Sequence, residues 1–386
     1  MMDEPASIRA TGLKPNERIT IRAGLLDGGE IRWASHADFL ADDQGNLNTS
    51  QQAAIAGSYK EVSAMGLVWS MTPSSGCAFR YRPPPDFGVQ TIEFQLLRGH
   101  TQLAAAKLEQ MSIAPGVEQV TNIHGTLFVP RGGGRHPGVL VLGGSEGGLP
   151  ARRAAWLASH GFAALALAYF HYADLPAELA GIPLEYFGQA LSWMAQRQEI
   201  AADHIAVMGI SRGAELALQL GSMCPAIKAV VAYSPANVRY PACCGLTAVP
   251  YAWTWNGNPL AYVLLRRGDR DPATELRSAI EVERTHGPIL LISGDADGIW
   301  DSTQMSNAIV ARLDRHHFAF KVEHLRYAHA GHSAGHPEII PAWMRPANHP
   351  LSGRLQNMGG SPKGNAESSL DAAPKVIEFL QQALAQ

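Results

Sequence analysis

The pentapeptide Gly209-Ile210-Ser211-Arg212-Gly213 has the residue types and spacing of a nucleophile elbow. Two glycines permit a tight strand-to-helix turn that lifts the serine Oγ above its surroundings, and the backbone N–H after the serine, on Arg212, becomes half of an oxyanion hole. A bare G-x-S-x-G recurs by chance, and a serine at such a turn also serves as an ordinary helix N-cap. The context separates the two readings. HIAVMGI before the serine reads as a strand and RGAELALQLGSM after it as a helix, which is the setting this motif requires.

A serine elbow needs a carboxylate and a base, which follow it along the chain in the order Ser, acid, His. The strand-like GPILLISGD runs into Asp295-Ala296-Asp297-Gly298. Asp297, just past the strand, is the preferred acid, and Asp295 is expected to cap the turn. The base is expected on a loop after the last strand, where EHLRYAHAGHSAGHP offers His324, His329, His332 and His336. His332, flanked by Gly331 and Ser333, has the position and the freedom. His329 is the second choice, and His324 falls within a strand. Spacings of 5, 3 and 4 between these histidines match no helical metal motif, so neither metal nor cofactor is expected. The remaining histidines, His316 and His317 among them, are expected at the surface.

The other half of an oxyanion hole should come from the loop after an early strand, where Gly143-Gly144-Ser145-Glu146-Gly147-Gly148 lies. Gly144 or Ser145 is the candidate donor. The loop lacks the Lys-Ser/Thr of a P-loop and the G-x-G-x-x-G order of a dinucleotide site, which argues against a phosphate cradle.

These residues must be carried by a sheet. After about Gln119, strand-like and helix-like runs alternate: PGVLVLGG, ARRAAWLASHG, FAALALAYF, EYFGQALSWMAQRQ, HIAVMGIS, RGAELALQLGSM, AIKAVVAYSP, GPILLISGD and FKVEHLRY. Uniformly apolar strands are what a parallel sheet covered on both faces demands, so this half is expected to be an open α/β sheet. RGGGRHP, residues 131–137, reads as a turn between its first strands. GGSPKGNAESS reads as a loop before a final amphipathic helix, APKVIEFLQQALA. Upstream, from Ile8 to about Leu108, ITIRA and TIEFQ alternate apolar and polar residues. IRWASHADFLA, GLVWSM and CAFRYR are further short runs between turn-rich segments, and a small β-sandwich without catalytic residues is expected. The division is placed at residues 1–118 and 119–386.

Composition narrows the function. The chain has 386 residues with 31 Lys+Arg against 34 Asp+Glu, a formal charge of -3, which argues against a phosphate-backbone binder and hence against nucleic acid as a partner. Apolar residues make 46%, enough for a sizeable core, yet no run approaches the roughly 18 apolar residues of a spanning helix. The first residues mix acids, bases and proline and lack the apolar core of a secretory leader, and the terminal Ala-Gln is no S-K-L address. Cys77, Cys224, Cys243 and Cys244 show no CxxC spacing and are expected as free thiols in a reducing cytoplasm. Oligomeric state is not legible.

The combination of segments resembles the family of acyl-CoA thioesterases and bile acid-CoA:amino acid N-acyltransferases. GSYKEVSAMGLVWSM is similar to a stretch of that family's N-terminal domain, and ALAYFHYADLP with LEYFGQALSWM is similar to its catalytic core. GISRGAELAL, ISGDADGIW and YAHAGH resemble its nucleophile, acid and histidine regions. The resemblance implies an α/β-hydrolase domain preceded by an immunoglobulin-like domain, with Ser211 as nucleophile, Asp297 as acid and His332 as base. Thioesterases of the family commonly carry serine at the elbow and its amino-acid-conjugating members cysteine. GGSEGGL departs from the family's glycine-rich run at Glu146, and 337–365 is less recognisable.

The implied reaction is hydrolysis of an acyl-CoA through an acyl-serine. Transfer of the acyl group to an amine or alcohol, and cleavage of oxygen esters or lactones, use the same residues and stay open, as do acyl length and carrier. The segment TAVPYAWTWNGNPLAYVLL, residues 247–265, is expected either to line an acyl pocket or to pack the core.

Overall fold

A computed structural model describes all residues except 77–78, 123, 246–247, 265–271 and 386. Cys77 and parts of CAFRYR and of 247–265 therefore lie outside the described residues.

The N-terminal part is built on an antiparallel sheet of six strands. Arg18–Leu26 and Arg32–Leu40 pair over nine residues each, and their side chains alternate between buried and exposed, as period-two patterning requires. Gln90–Arg98 flanks Arg18–Leu26 on the other side and pairs in turn with Thr101–Gln110. That last strand is exposed along nearly its whole length, so it carries no apolar alternation. The covered face packs Trp33, Phe39, Ile21 and Ile92 against the ladder of Arg9–Ala10 with Leu47–Asn48, and against Ile339 and Trp343 from the far end of the chain. GLVWSM is a correction: Gly66–Trp69 is a short helix, fully buried in this core.

The larger sheet has eight strands in the order Val322–Tyr327, Ile289–Gly294, Ile227–Tyr233, Ile200–Ile210, His136–Leu142, Ala163–Leu167, Gly125–Val129, Glu118–Thr121. The first six are parallel and the last two antiparallel. His136–Leu142 and Ile200–Ile210 are central, and their inner residues are buried on both faces, which explains their unbroken apolar runs. Helices Glu185–Ala195, Arg212–Met223 and Ser302–Arg315 cover one face, while Ala151–Ser159 and Pro362–Leu384 cover the other. Together the six-stranded sheet and this doubly covered sheet make the expected α/β-hydrolase fold with a sheet-rich N-terminal domain.

The stretch GGSPKGNAESS is a second correction. Its larger part is helical, because Ser361 accepts a hydrogen bond from the Gly364 N–H and Pro362 opens the first turn, so the last helix starts at Pro362 and runs through Pro374 to Leu384. Cys243 and Cys244 are a third: the structure joins them in a disulfide between chain neighbours, a pairing that CxxC reasoning does not consider, and Cys224 is free. Of 247–265, Ala252 and Trp253 are buried, with the Trp253 ring 6.0 Å from Tyr169 and 6.4 Å from Phe187. Ala252 and Trp253 pack the core of the larger sheet, and none of the segment's described residues lines the cleft described below.

No helix among the described residues is long and apolar enough to cross a membrane.

Candidate active site

Ser211 sits between strand Ile200–Ile210 and helix Arg212–Met223 with φ 55° and ψ -118°. Positive φ is unusual for a residue with a side chain, and here the strain falls on the serine itself. The glycines serve a different need. A Cβ on Gly209 would collide with the Gly213 carbonyl, and one on Gly213 with the carbonyls of Leu142 and Gly143. Close backbone approach, more than torsional freedom, fixes G-x-S-x-G here. The Ser211 N–H is held by the Tyr233 carbonyl at 2.9 Å.

The structure brings Ser211, His332 and Asp297 together. His332 Nε2 lies 2.9 Å from Ser211 Oγ, and His332 Nδ1 lies 3.0 and 2.9 Å from the two Asp297 oxygens. Asp297 Oδ1 also accepts the backbone N–H groups of Ile299 at 2.9 Å and Trp300 at 3.2 Å. All three side chains are nearly excluded from solvent. An ionised carboxylate against Nδ1 selects the tautomer that leaves Nε2 open to accept the serine proton.

Several surrounding groups hold this arrangement. The Trp300 ring meets the His332 ring edge-on at 5.4 Å between centroids and donates through Nε1 to the Ser234 carbonyl at 3.1 Å. The His332 carbonyl accepts from Ser234 Oγ at 2.8 Å, and its N–H donates to Met358 O at 2.7 Å. Residues Met358–Gly360 clasp both loops, since Gly298 N donates to Met358 O and Asp297 bridges to Gly359. A Cβ on Gly331 would strike the Gly359 carbonyl, and the Gly331 N–H donates to Asn365 Oδ1 at 2.8 Å. This clasp lies in the stretch where the sequence shows only glycine-rich turns.

Asp295 stands apart from the three. It pairs with Arg326 at 2.7 Å and accepts from Thr303 Oγ1 at 3.1 Å, and the Arg326 hydrogen bond holds its carboxyl below the usual range. The turn-capping role expected of Asp295 belongs instead to Asp297. His324 is bonded to Ser293 Oγ at 2.8 Å, and His329 is exposed with φ 60°. His336 lines the cleft beside His332, and burial keeps it well below the usual histidine range.

Gly144 and Ser145 stand at the same cleft. A Cβ on Gly144 would lie 3.4 Å from Ser211 Cβ, so this loop packs directly over the serine. The Arg212 side chain is spent elsewhere: it pairs with fully buried Glu215 at 3.1 Å and donates to the Pro241 and Tyr240 carbonyls. Only its backbone N–H, at the first helical position where no intrahelical acceptor exists, remains for an oxyanion. Glu146, the odd acid in the loop, pairs with Arg80 of the N-terminal part at 3.3 Å.

His349 is a residue that sequence reasoning misses, since the sequence places it with the surface histidines. It is buried, its Nε2 lies 3.1 Å from Ser145 Oγ, and its Nδ1 accepts the N–H groups of Leu351 and Ser352 at 3.3 and 3.2 Å. Nothing in its immediate sequence, ANHPLSG, signals that role.

The cleft has a volume of about 580 Å³ and opens between the two parts of the chain, with Arg80, Asp86 and Phe87 on one side and Gly143–Arg153 on the other. The family model of the BAAT / acyl-CoA thioester hydrolase C-terminal region matches residues 182–386, and that of the acyl-CoA thioester hydrolase/BAAT N-terminal region matches residues 3–122. The chain belongs to the acyl-CoA thioester hydrolase/BAAT family. It is 33% identical to mouse acyl-coenzyme A thioesterase 6 over 99% of this chain and 94% of that protein. Mouse mitochondrial acyl-coenzyme A thioesterase 2 is 31% identical over 99% and 87%, and mouse peroxisomal succinyl-coenzyme A thioesterase 31% identical over 98% and 93%. Each relative is spanned almost end to end, so both parts of the chain have counterparts.

Proposed function

We propose that this protein hydrolyses acyl-CoA thioesters through an acyl-serine on Ser211. The reading is carried by the 2.9 Å separation of Ser211 Oγ and His332 Nε2 in a chain of this family. His332 takes the hydroxyl proton as Oγ attacks the thioester carbonyl, and Asp297 stabilises the imidazolium that forms. The tetrahedral oxyanion is held by the Arg212 N–H and by the Gly144–Ser145 loop, where each donor contributes about 3 kcal/mol to lowering the barrier. The intermediate collapses, the C–S bond breaks, and His332 returns its proton to the departing thiolate. Water then gives a proton to His332 as its oxygen attacks the acyl-serine carbonyl; the second tetrahedral intermediate collapses with cleavage of the C–Oγ bond, and His332 returns the proton to Ser211 Oγ, releasing the carboxylic acid and restoring the enzyme.

Serine, and not cysteine, at the elbow supports water as the acceptor, because an oxygen ester is hydrolysed readily beside a general base. The test is product analysis with an acyl-CoA in the presence of millimolar glycine, taurine and simple alcohols. Free acid and CoA are expected to dominate; conjugates in excess of free acid would reassign the protein as an acyltransferase.

The same proposal divides the chain at the first strand of the larger sheet, with residues 1–118 as the N-terminal domain and 119–386 as the catalytic one. A cytoplasmic location is also part of it, resting on the absence of an apolar leader among the first residues of the sequence, and is checked by fractionating cells that make the tagged protein.

A further inference from the structure

The buried wall of the cleft holds a cation without a counterion. Arg153 is only 9% exposed, it forms no ion pair among the described residues, and its Nη1 has no hydrogen-bond partner. Its guanidinium lies 4.4 Å over the Tyr233 ring. Tyr233 Oη, whose one neighbouring donor is Arg153 itself, and His336 Nε2 are likewise screened from solvent and lack any other partner, His336 Nδ1 lies 4.0 Å from Glu338 Oε2, and the Tyr233 and His336 rings meet edge-on at 6.5 Å. Three orphaned polar groups at one place, two of them lining the cleft that contains Ser211 and His332, are costly unless a ligand satisfies them.

The other arginines of the cleft are already engaged. Arg80 is paired with Glu146, and Arg152 donates to Ser112 Oγ and the Pro84 carbonyl. Of these arginines Arg153 alone keeps a buried terminal nitrogen, Nη1, without a partner, in the planar fork of donors that binds carboxylate or phosphate oxygens.

We propose that Arg153, supported by His336 and Tyr233, forms an oxyanion subsite for the substrate, taking the far-end carboxylate of a dicarboxylic acyl chain or a phosphate of the thiol carrier. The inference rests on the thioesterase reading and refines it. The carboxylate is the better fit, because Arg153 sits deep while a nucleotide needs the open side of the cleft.

The test compares adipyl with hexanoyl thioesters, each on CoA and on the phosphate-free carrier N-acetylcysteamine, with the wild type, Arg153→Gln and Arg153→Lys. If the subsite takes a carboxylate, the adipyl-to-hexanoyl ratio of kcat/KM is tenfold or more on both carriers and falls about tenfold in Arg153→Gln. If it takes a phosphate, that ratio is near one, and the preference for CoA over N-acetylcysteamine is what Arg153→Gln removes. Arg153→Lys, which keeps the charge but loses the fork, is read in the same way should the glutamine variant not fold. A readout independent of turnover is the melting temperature of the wild type, which adipate or inorganic phosphate raises and hexanoate does not. Ratios insensitive to both substitutions, or no ratio and no melting shift in the wild type, would overturn the subsite. Failure to cleave any of the four thioesters would instead overturn the thioesterase reading.

Discussion

His349 donates a hydrogen bond to Ser145. Its Nδ1 faces two backbone N–H donors, which places the ring proton on Nε2, 3.1 Å from Ser145 Oγ. The serine oxygen is thereby an acceptor from the ring and keeps its own proton to give. It stands in the loop that packs over Ser211 through Gly144, and in the proposed reaction that proton would go to the substrate carbonyl.

His349→Ala is expected to lower kcat by about tenfold to a hundredfold through loss of this orientation, with Ser145→Ala giving a similar loss and the double variant little more than either. Steady-state kinetics of the three variants check this. Fully additive losses would mean that the two residues act separately.

Asp297→Asn should be severe, about 10⁴ in kcat, because an amide at that position favours the wrong imidazole tautomer. Asp295→Asn, which breaks only the partly exposed pair with Arg326, should cost little activity and at most about 1 kcal/mol of stability. Side-by-side kinetics and denaturant melts separate the two; greater damage at Asp295 would move the acid.

Stability should fall in mild acid. Burial keeps His336 well below the usual histidine range, and His349 is lowered as well. A native state that refuses protons the unfolded chain accepts retains its full stability above the unfolded pKa, near 6.5, and loses it as pH falls towards the folded values. Each such histidine gives a slope of up to about 1.4 kcal/mol per pH unit. Urea melts between pH 8 and pH 5 check the sign, and His336→Gln should flatten the curve.

Glu215 is fully buried and tied to Arg212 at 3.1 Å and to Trp253 Nε1 at 2.6 Å, and its desolvation raises its pKa. Glu215→Ala leaves Arg212 buried beneath the elbow without its partner. A loss of about 3–5 kcal/mol is expected in chemical denaturation, with Glu215→Gln milder because it keeps an acceptor for Trp253.

Local signals made much of this legible. Strand-then-helix context singled out Ser211, a strand end singled out Asp297, and glycine-flanked loop position singled out His332, because each requirement is written in neighbouring residues. The remainder is tertiary. His349 and Arg153 acquire their partners from segments far away in the chain, and the clasp at Met358–Gly360 works through backbone groups that any residue possesses. Gly66–Trp69 reads as an apolar strand because burial on every side erases the period that distinguishes a short helix from a strand.

The central claim is that Ser211 carries the acyl group, and the most direct measurement is mass analysis of the protein quenched during turnover of an acyl-CoA. A mass increase equal to the acyl group is expected on the peptide containing Ser211, and it should vanish in Ser211→Ala along with nearly all turnover, a loss on the order of 10⁶. An adduct on Cys224, Cys243 or Cys244, or turnover by Ser211→Ala above a tenth of the wild type, would contradict the account.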